Sequence, residues 1–321
     1  MKKTILYEMK NLYRDDMRVT GYQFGEGEKS VCVVGSTRGN EIQQLFTCGL
    51  LVKTLKRIEK AGLINDGKSI MVIPSINTSS MNIEKRFWPT DNTDINRMFP
   101  GYDLGETTQR IAGGVFEKIN DYKYGIQFAS FFMPGRFLPH VRMMMTENTS
   151  IEDAKKFGLQ YVVKRNPRPF DTTTLNYNWQ VWGTKAFSVY THETANLNEN
   201  SAMIGVYAVL NFLSQTGIIN YSMHRGYNSS VINADEMYDI QTPIAGIFQP
   251  LCEVGDSVSK GQVISKIIDP YEGKTLAEIK APEYGNVFFM NNKQLVYTNQ
   301  ILFKLTDDYT IIRKAENSEQ Q

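Results

Sequence analysis

Hydrophobic positions along this chain change their period several times, and each change predicts an element. Residues 4–24 read as short extended pieces separated by polar turns. VCVVG at 31–35 is a β-branched run closed by glycine, the pattern of a buried strand. After the loop STRGN, Ile42, Leu45, Phe46, Leu50, Leu51, Leu55 and Ile58 recur at three and four, which predicts an amphipathic helix. Asn40 and Glu41 stand at its start, where cap-forming and acidic side chains are favoured. SIMVIPSIN at 69–77 is a second strand, and strand, helix, strand at this spacing is a βαβ unit that predicts an α/β sheet. A polar loop over 78–103 leads to a helix near 107–119, a strand near 124–130 and a loop containing MPGRFLPH. A helix near 151–158, a strand at 187–191 and a strongly periodic helix at 199–217, closed by glycine, complete the series.

Near residue 232 the helical period stops. Short strands then alternate with turn signals to about residue 306, as in an all-β module. The expected organisation is an α/β domain over 1–232, a β domain over 233–308 and a polar tail over 309–321.

Composition narrows the function. Thirty-five Lys and Arg against 34 Asp and Glu leave a net charge of +1, which gives no electrostatic case for nucleic acid or an anionic membrane. No apolar run approaches the ~18 residues a membrane span needs, and the apolar stretch TILY is too short for a signal peptide. The three cysteines, Cys32, Cys48 and Cys252, are far apart and form no CxxC, so neither a disulfide framework nor a cysteine zinc knuckle is expected. Cys32 and Cys48 sit in buried patterns and read as packing residues; the expected compartment is a reducing cytoplasm. Only three histidines exist, His140, His192 and His224.

Five fragments, in order, carry the candidate chemistry: Arg38-Gly39-Asn40-Glu41, Asp94-Ile95-Asn96-Arg97-Met98-Phe99-Pro100-Gly101, Gln127-Phe128-Ala129, Leu138-Pro139-His140-Val141-Arg142 and Thr191-His192-Glu193-Thr194-Ala195. Together they resemble the succinylglutamate desuccinylase/aspartoacylase family, relatives of the zinc carboxypeptidases. The resemblance implies a mixed α/β sheet, eight-stranded or nearly so, sandwiched by helices, followed by a small β-barrel of biotinyl/lipoyl-like type. It also implies zinc-dependent hydrolysis of N-acyl amino acid amides. In the family, two histidines and the glutamate of His-Gly-x-Glu hold the zinc. Here the match keeps only Glu41; Arg38 and Ala129 stand where the histidines would be. Arginine stays protonated and has no lone pair to offer a metal, and alanine offers nothing. No zinc cofactor is therefore expected at the family's site.

The same resemblance makes Asn96 and Arg97 a clamp for a substrate carboxylate, with Arg86 as a second positive contact. It makes Glu193 the general base. Arg97 read without the motif is a salt-bridge partner of Asp94 or Asp91. Arg38 either pairs with Glu41 in the vacated metal position or points to solvent from its loop. His140 lies in the matched Leu-Pro-His segment, His192 is expected at the core or behind the cleft, and His224 at the surface. In the β module, Lys274 precedes Ala281-Pro282 by the distance found in biotinyl and lipoyl carriers, but its hairpin is longer and the modification context is absent. A structural or oligomer-forming module, and with it a homo-oligomer, is the expectation there. Three functional readings follow: a zinc-free, catalytically degenerate relative that binds a small carboxylate such as an N-acyl amino acid; an active amide hydrolase with a relocated metal set; and a structural or regulatory partner protein.

Overall fold

The computed structural model describes residues 1–12, 15–131, 133–192, 196–224 and 226–306. The tail 309–321 and Glu193, Thr194 and Ala195 lie outside the described residues. The chain divides into two compact units, one of residues 1–130 and 139–231, the other of 131–138 and 232 onward.

In the first unit the elements run β1 (Lys2–Met9), β2 (Met17–Phe24), β3 (Glu28–Ser36), α1 (Ile42–Lys60), β4 (Lys68–Ser75), α2 (Thr78–Met81), α3 (Thr107–Ile119) and β5 (Tyr124–Phe128). After β6 (Gly135–Phe137), which belongs to the second unit, come β7 (His140–Met144), α4 (Ile151–Lys155), β8 (Tyr161–Arg165), α5 (Leu175–Val181), β9 (Lys185–Tyr190), α6 (Glu199–Gln215) and β10 (Ser230–Asn233). Nine strands form one mixed sheet in the order β1-β2-β4-β3-β5-β9-β7-β8-β10. The centre, β4-β3-β5-β9, is parallel, while β1, β2 and the β7–β9 pairing run antiparallel. The sequence pattern passed over β7, β8 and α5. Each of these strands is five residues long, and their alternation is blurred by burial on both faces.

Strand β3 shows why the helices lie where they do. Val31 and Val33 pack on one face with Leu51 and Leu55 of α1 and Phe212 of α6. Cys32 and Val34 pack on the other with Ile111 and Val115 of α3 and Trp179 of α5. A strand buried on both faces needs apolar residues at every position, which is what VCVV supplies. Burial pushes the Cys32 and Cys48 thiols above the ordinary range, as suits packing residues rather than nucleophiles.

Two glycines let loops approach the sheet's carboxyl end. A Cβ on Gly39 would lie 2.3 Å from the Ser80 carbonyl carbon and 2.4 Å from the Lys85 oxygen, so only glycine lets the 80–85 backbone pass the β3–α1 turn. Gly101, at φ +96°, would place a Cβ 2.0 Å from the Gly113 nitrogen of α3. The first contact carries Arg86 to the site described below.

In the second unit β11 (Tyr238–Gln241), β12 (Gly246–Pro250), β13 (Ser257–Val258), β14 (Val263–Ile268), β15 (Thr275–Lys280), β16 (Gly285–Asn291), β17 (Leu295–Val296) and β18 (Ile301–Thr306) form two antiparallel sheets. Their orders are β11-β18-β16-β13, with β6 added on β16, and β15-β14-β12-β17. The expected loop at MPGRFLPH thus contains a strand, and residues 131–138 leave the expected 1–232 domain for this unit. The cause is long-range: Phe137 sits opposite Phe289, and Phe131 stacks on Phe289 at 5.5 Å. Lys274, in the β14–β15 turn, is exposed and ion-paired with Glu272. Among the described residues no helix is long and apolar enough to cross a membrane.

Candidate functional site

The chain leaves β3 at Ser36 and enters α1 at Ile42, and this turn carries the first matched fragment. Glu41 occupies the N-cap position, but its side chain makes no cap; it folds back over the turn. Its Oε2 accepts from the Thr37 amide at 2.8 Å and the Arg38 amide at 3.0 Å. Its Oε1 accepts from Arg38 Nη1 at 2.9 Å and from the Ser130 hydroxyl. Glu41 is 1% exposed, so these donors replace the water that a carboxylate would otherwise require.

Arg38 is 6% exposed and bridges two carboxylates. Beside the Glu41 contact, its Nε donates to Asp94 Oδ2 at 2.9 Å. Burial works against the guanidinium charge, but attraction to Glu41 and Asp94 outweighs it and the proton is held more tightly than in an ordinary arginine. Asp94 Oδ2 also accepts from Arg86 Nη2 at 3.3 Å, and Oδ1 accepts from the Asn96 amide at 3.0 Å. Burial, then the neighbouring Arg38 charge, lower the Arg86 pKa from the usual arginine value. The motif aspartate therefore pairs with Arg38 and Arg86. The simple reading of Arg97 as its partner is corrected.

Arg97 lies one turn away in the 3-10 turn Ile95–Arg97, half-buried. Its Nη1 donates to the Phe170 carbonyl, and its guanidinium stands over the Phe170 ring at 5.6 Å. Asn96 turns inward: its Oδ1 accepts from the Leu175 amide at 3.4 Å and from Gln127 Nε2 at 3.5 Å. Asn176 Nδ2 in turn donates to Gln127 Oε1 at 2.9 Å and Ser188 Oγ at 2.7 Å. Asn96 thus anchors a buried amide network beneath the turn that bears Arg97.

Ala129 follows β5. Its carbonyl accepts from Gln44 Nε2 at 3.3 Å, one turn of α1 beyond Glu41, and its neighbour Ser130 donates to Glu41. Arg38, Glu41 and the Ala129–Ser130 segment are therefore neighbours in space. Glu193 lies outside the described residues. Its neighbour His192 is half-exposed, with a backbone N–H that donates to Ser201 Oγ at 2.9 Å. His140 is fully buried within β7 and stacks on Tyr190 at 4.7 Å, and His224 is exposed. Among the described residues no three His, Cys, Asp or Glu side chains converge as a metal site. Sequence reasoning missed Thr37, Ser130, Asn176 and Phe170; only Ser130, beside the matched Ala129, carried any signal in its position.

A zinc ion of the family's kind does not fit these residues. The family ligand that remains, Glu41, already accepts five hydrogen bonds, and Arg38 bridges it to Asp94, so an added cation would lie beside that guanidinium and compete with it for the same carboxylates.

Residues 27–213 match the model of the succinylglutamate desuccinylase/aspartoacylase catalytic domain. The chain is 22% identical over 277 residues to the N-alpha-acetyl-L-2,4-diaminobutyric acid deacetylase of Halomonas elongata, covering 78% of this chain and 73% of that protein. Its fold is similar to a succinylglutamate desuccinylase of a Silicibacter species, with TM-score 0.77 at 16% identity over 94% of this chain and 92% of that one. It is also similar to the product-bound ectoine utilization protein of Ruegeria pomeroyi, with TM-score 0.73 at 17% identity over 91% and 90%. The chain belongs to the succinylglutamate desuccinylase/aspartoacylase family.

Proposed function

We propose that this chain is a zinc-free, non-hydrolytic member of its family that binds a small carboxylate of the N-acyl amino acid class in the old active-site cleft. The observation that carries the reading is the Arg38 guanidinium, held at 2.9 Å from both Glu41 and Asp94. It supplies the positive charge that the buried carboxylates need, so the turn is electrostatically complete without metal. Arg97 is the carboxylate clamp, with Asn96 anchoring the turn beneath it: one guanidinium N–H is committed to Phe170, and the rest of the planar fork suits two carboxylate oxygens. Glu193 is assigned to the cleft by its motif alone, and without a metal to acidify water it is a weak base for amide hydrolysis. The β unit is read as a structural, biotinyl/lipoyl-like barrel, and the three free cysteines suit a cytoplasmic setting.

Elemental analysis tests the central point. The purified protein is expected to carry no stoichiometric zinc, and added zinc is expected to leave its Tm unchanged. About one zinc per chain, lost in Glu41→Gln, overturns the reading in favour of a relocated metal site. The constructive arm is Arg38→His with Ala129→His, which restores a His-Glu-His set. The double variant is expected to bind zinc where neither single one does. A folded double variant with no gain in zinc affinity rejects the placement of Ala129 at the second histidine.

A further inference from the structure

Phe170 is a large apolar side chain that the core does not claim. It is 56% exposed, and its ring meets the guanidinium of Arg97, whose Cζ stands 5.6 Å from the ring centre. The backbone of the same residue supplies a second contact, a carbonyl that accepts from Arg97 Nη1. The turn that presents both groups is pinned on each side. Pro169 precedes Phe170, with its φ fixed by the ring. Asp171 follows it: the carboxylate accepts from Arg165 Nη2 at 2.7 Å and from the Arg168 amide at 2.8 Å. The Asp171 carbonyl accepts from the Thr174 amide at 2.8 Å and the Thr174 hydroxyl at 2.7 Å. The segment that bears Arg97 is tied to the same stretch, by the Phe99 amide to the Thr173 carbonyl at 3.0 Å and the Leu175 amide to Asn96 Oδ1 at 3.4 Å. Phe170 therefore holds a fixed place relative to the Arg97 backbone, and its two contacts act on the arginine's side chain.

A long arginine side chain loses rotamer freedom when a carboxylate captures it, and that loss is subtracted from affinity unless the side chain is ordered beforehand. A carbonyl on one N–H fixes where the end of the side chain lies, and an aromatic face beside Cζ limits how the plane of the fork turns. We propose that Phe170 is a positioning residue for the clamp: its carbonyl and ring order the Arg97 fork before the ligand arrives and leave the other N–H groups for the carboxylate. This rests on the proposed carboxylate-binding reading and adds to it the residue through which the clamp is set. The restraint is light, because a neutral acceptor and one ring are weak partners. It raises affinity without locking the arginine into the fold.

Substitution can remove the ring, while the carbonyl stays with the backbone. The test is calorimetry on the full chain with a panel of N-acetyl amino acids, beginning with N-acetylglycine and N-acetylglutamate. Phe170→Ala is expected to bind about five-fold more weakly than wild type, the cost of ordering one long side chain. Phe170→Leu, which keeps apolar bulk without a π face, is expected to be as weak as Phe170→Ala, and Phe170→Tyr to restore wild-type affinity. Because the ring is exposed, Tm is expected to be the same in all three. A second readout needs no ligand: the 15N order parameter of the Arg97 Nε–H group is expected to fall in Phe170→Ala and Phe170→Leu and to hold in Phe170→Tyr. Equal affinity in wild type and Phe170→Ala, or full affinity in Phe170→Leu, overturns the positioning role and leaves the clamp standing. So does an order parameter unchanged by loss of the ring, or a fall in Tm that tracks the loss of affinity. Failure of every member of the panel to bind the wild type overturns the clamp, and the positioning role with it.

Discussion

Two arginines, Arg38 against Asp94 and Arg97 three residues further on, are held in opposite ways. Arg38 is buried against two carboxylates, and each oxygen of Glu41 is accounted for by a donor on this turn or on Ser130. Arg97 is half-buried and rests on one backbone carbonyl and one aromatic ring. The first arrangement is locked, because moving either charge exposes the other to a low-dielectric surrounding with no compensation. The second is adjustable, since a neutral acceptor and a ring can be given up to water at small cost. Two arginines from matched motifs thus differ in what they touch, the first bound into a charge cluster and the second, proposed above as the carboxylate clamp, resting on groups it can give up.

Breaking the locked side should have the largest effect. Arg38→Ala leaves the buried Glu41 without a charge partner and Asp94 with Arg86 alone, and is expected to cost about 3–5 kcal/mol, read by denaturant titration. A loss below about 1 kcal/mol would mean that the pair is not buried in solution. On the adjustable side, Arg97→Ala is expected to leave stability within about 0.5 kcal/mol. It should weaken carboxylate binding by about 1.5–3 kcal/mol through loss of a charge-assisted pair. If affinity for every carboxylate that binds the wild type is unchanged, the clamp assignment fails. Ser130→Ala sharpens the comparison at lower magnitude. It removes one donor to Glu41 while Arg38 remains, with an expected cost of about 1.5 kcal/mol and no effect on Arg97-dependent binding.

A pH series probes the ground beneath Arg97. Burial favours the neutral form of Asp171, but its hydrogen bonds to Arg165 and the Arg168 amide, with charge from Arg165 and Arg97, hold its pKa below the ordinary 3.8. A depressed carboxylate stabilises the fold fully above its unfolded pKa, and that stability is lost as pH falls through the folded value. Tm is expected to be insensitive to this group from neutral pH down to about 5, and to drop below about pH 4. In Asp171→Asn the acid limb should be shallower by this group's share. An acid limb unchanged by the substitution would remove Asp171 from the account.

Much of the architecture was legible along the chain because it rests on local periodicity. The helices at 42–60, 107–119 and 199–215 follow their apolar stripes, and β3 follows its β-branched run. Local pattern failed at β6, whose three residues form a strand only because β16, some 150 positions later, offers its edge. The site divides in the same way. The sequence by itself determined that Arg38 and Ala129 cannot ligate zinc, since that follows from the chemistry of their side chains. It also determined that Glu41 would need a charge partner if buried, because desolvating a carboxylate is expensive wherever it happens. Only the tertiary structure decided that Asp94 is shared by Arg38 and Arg86, that Ser130 completes Glu41, and that Arg97 rests on Phe170. Those are contacts between residues 56 to 89 positions apart in the first three cases that matter most, Arg38 to Asp94, Glu41 to Ser130 and Arg97 to Phe170. Hydrogen bonds act over about 3 Å of space, and nothing in the spacing of residues along a chain fixes which distant partners the folding of a sheet will bring within that reach.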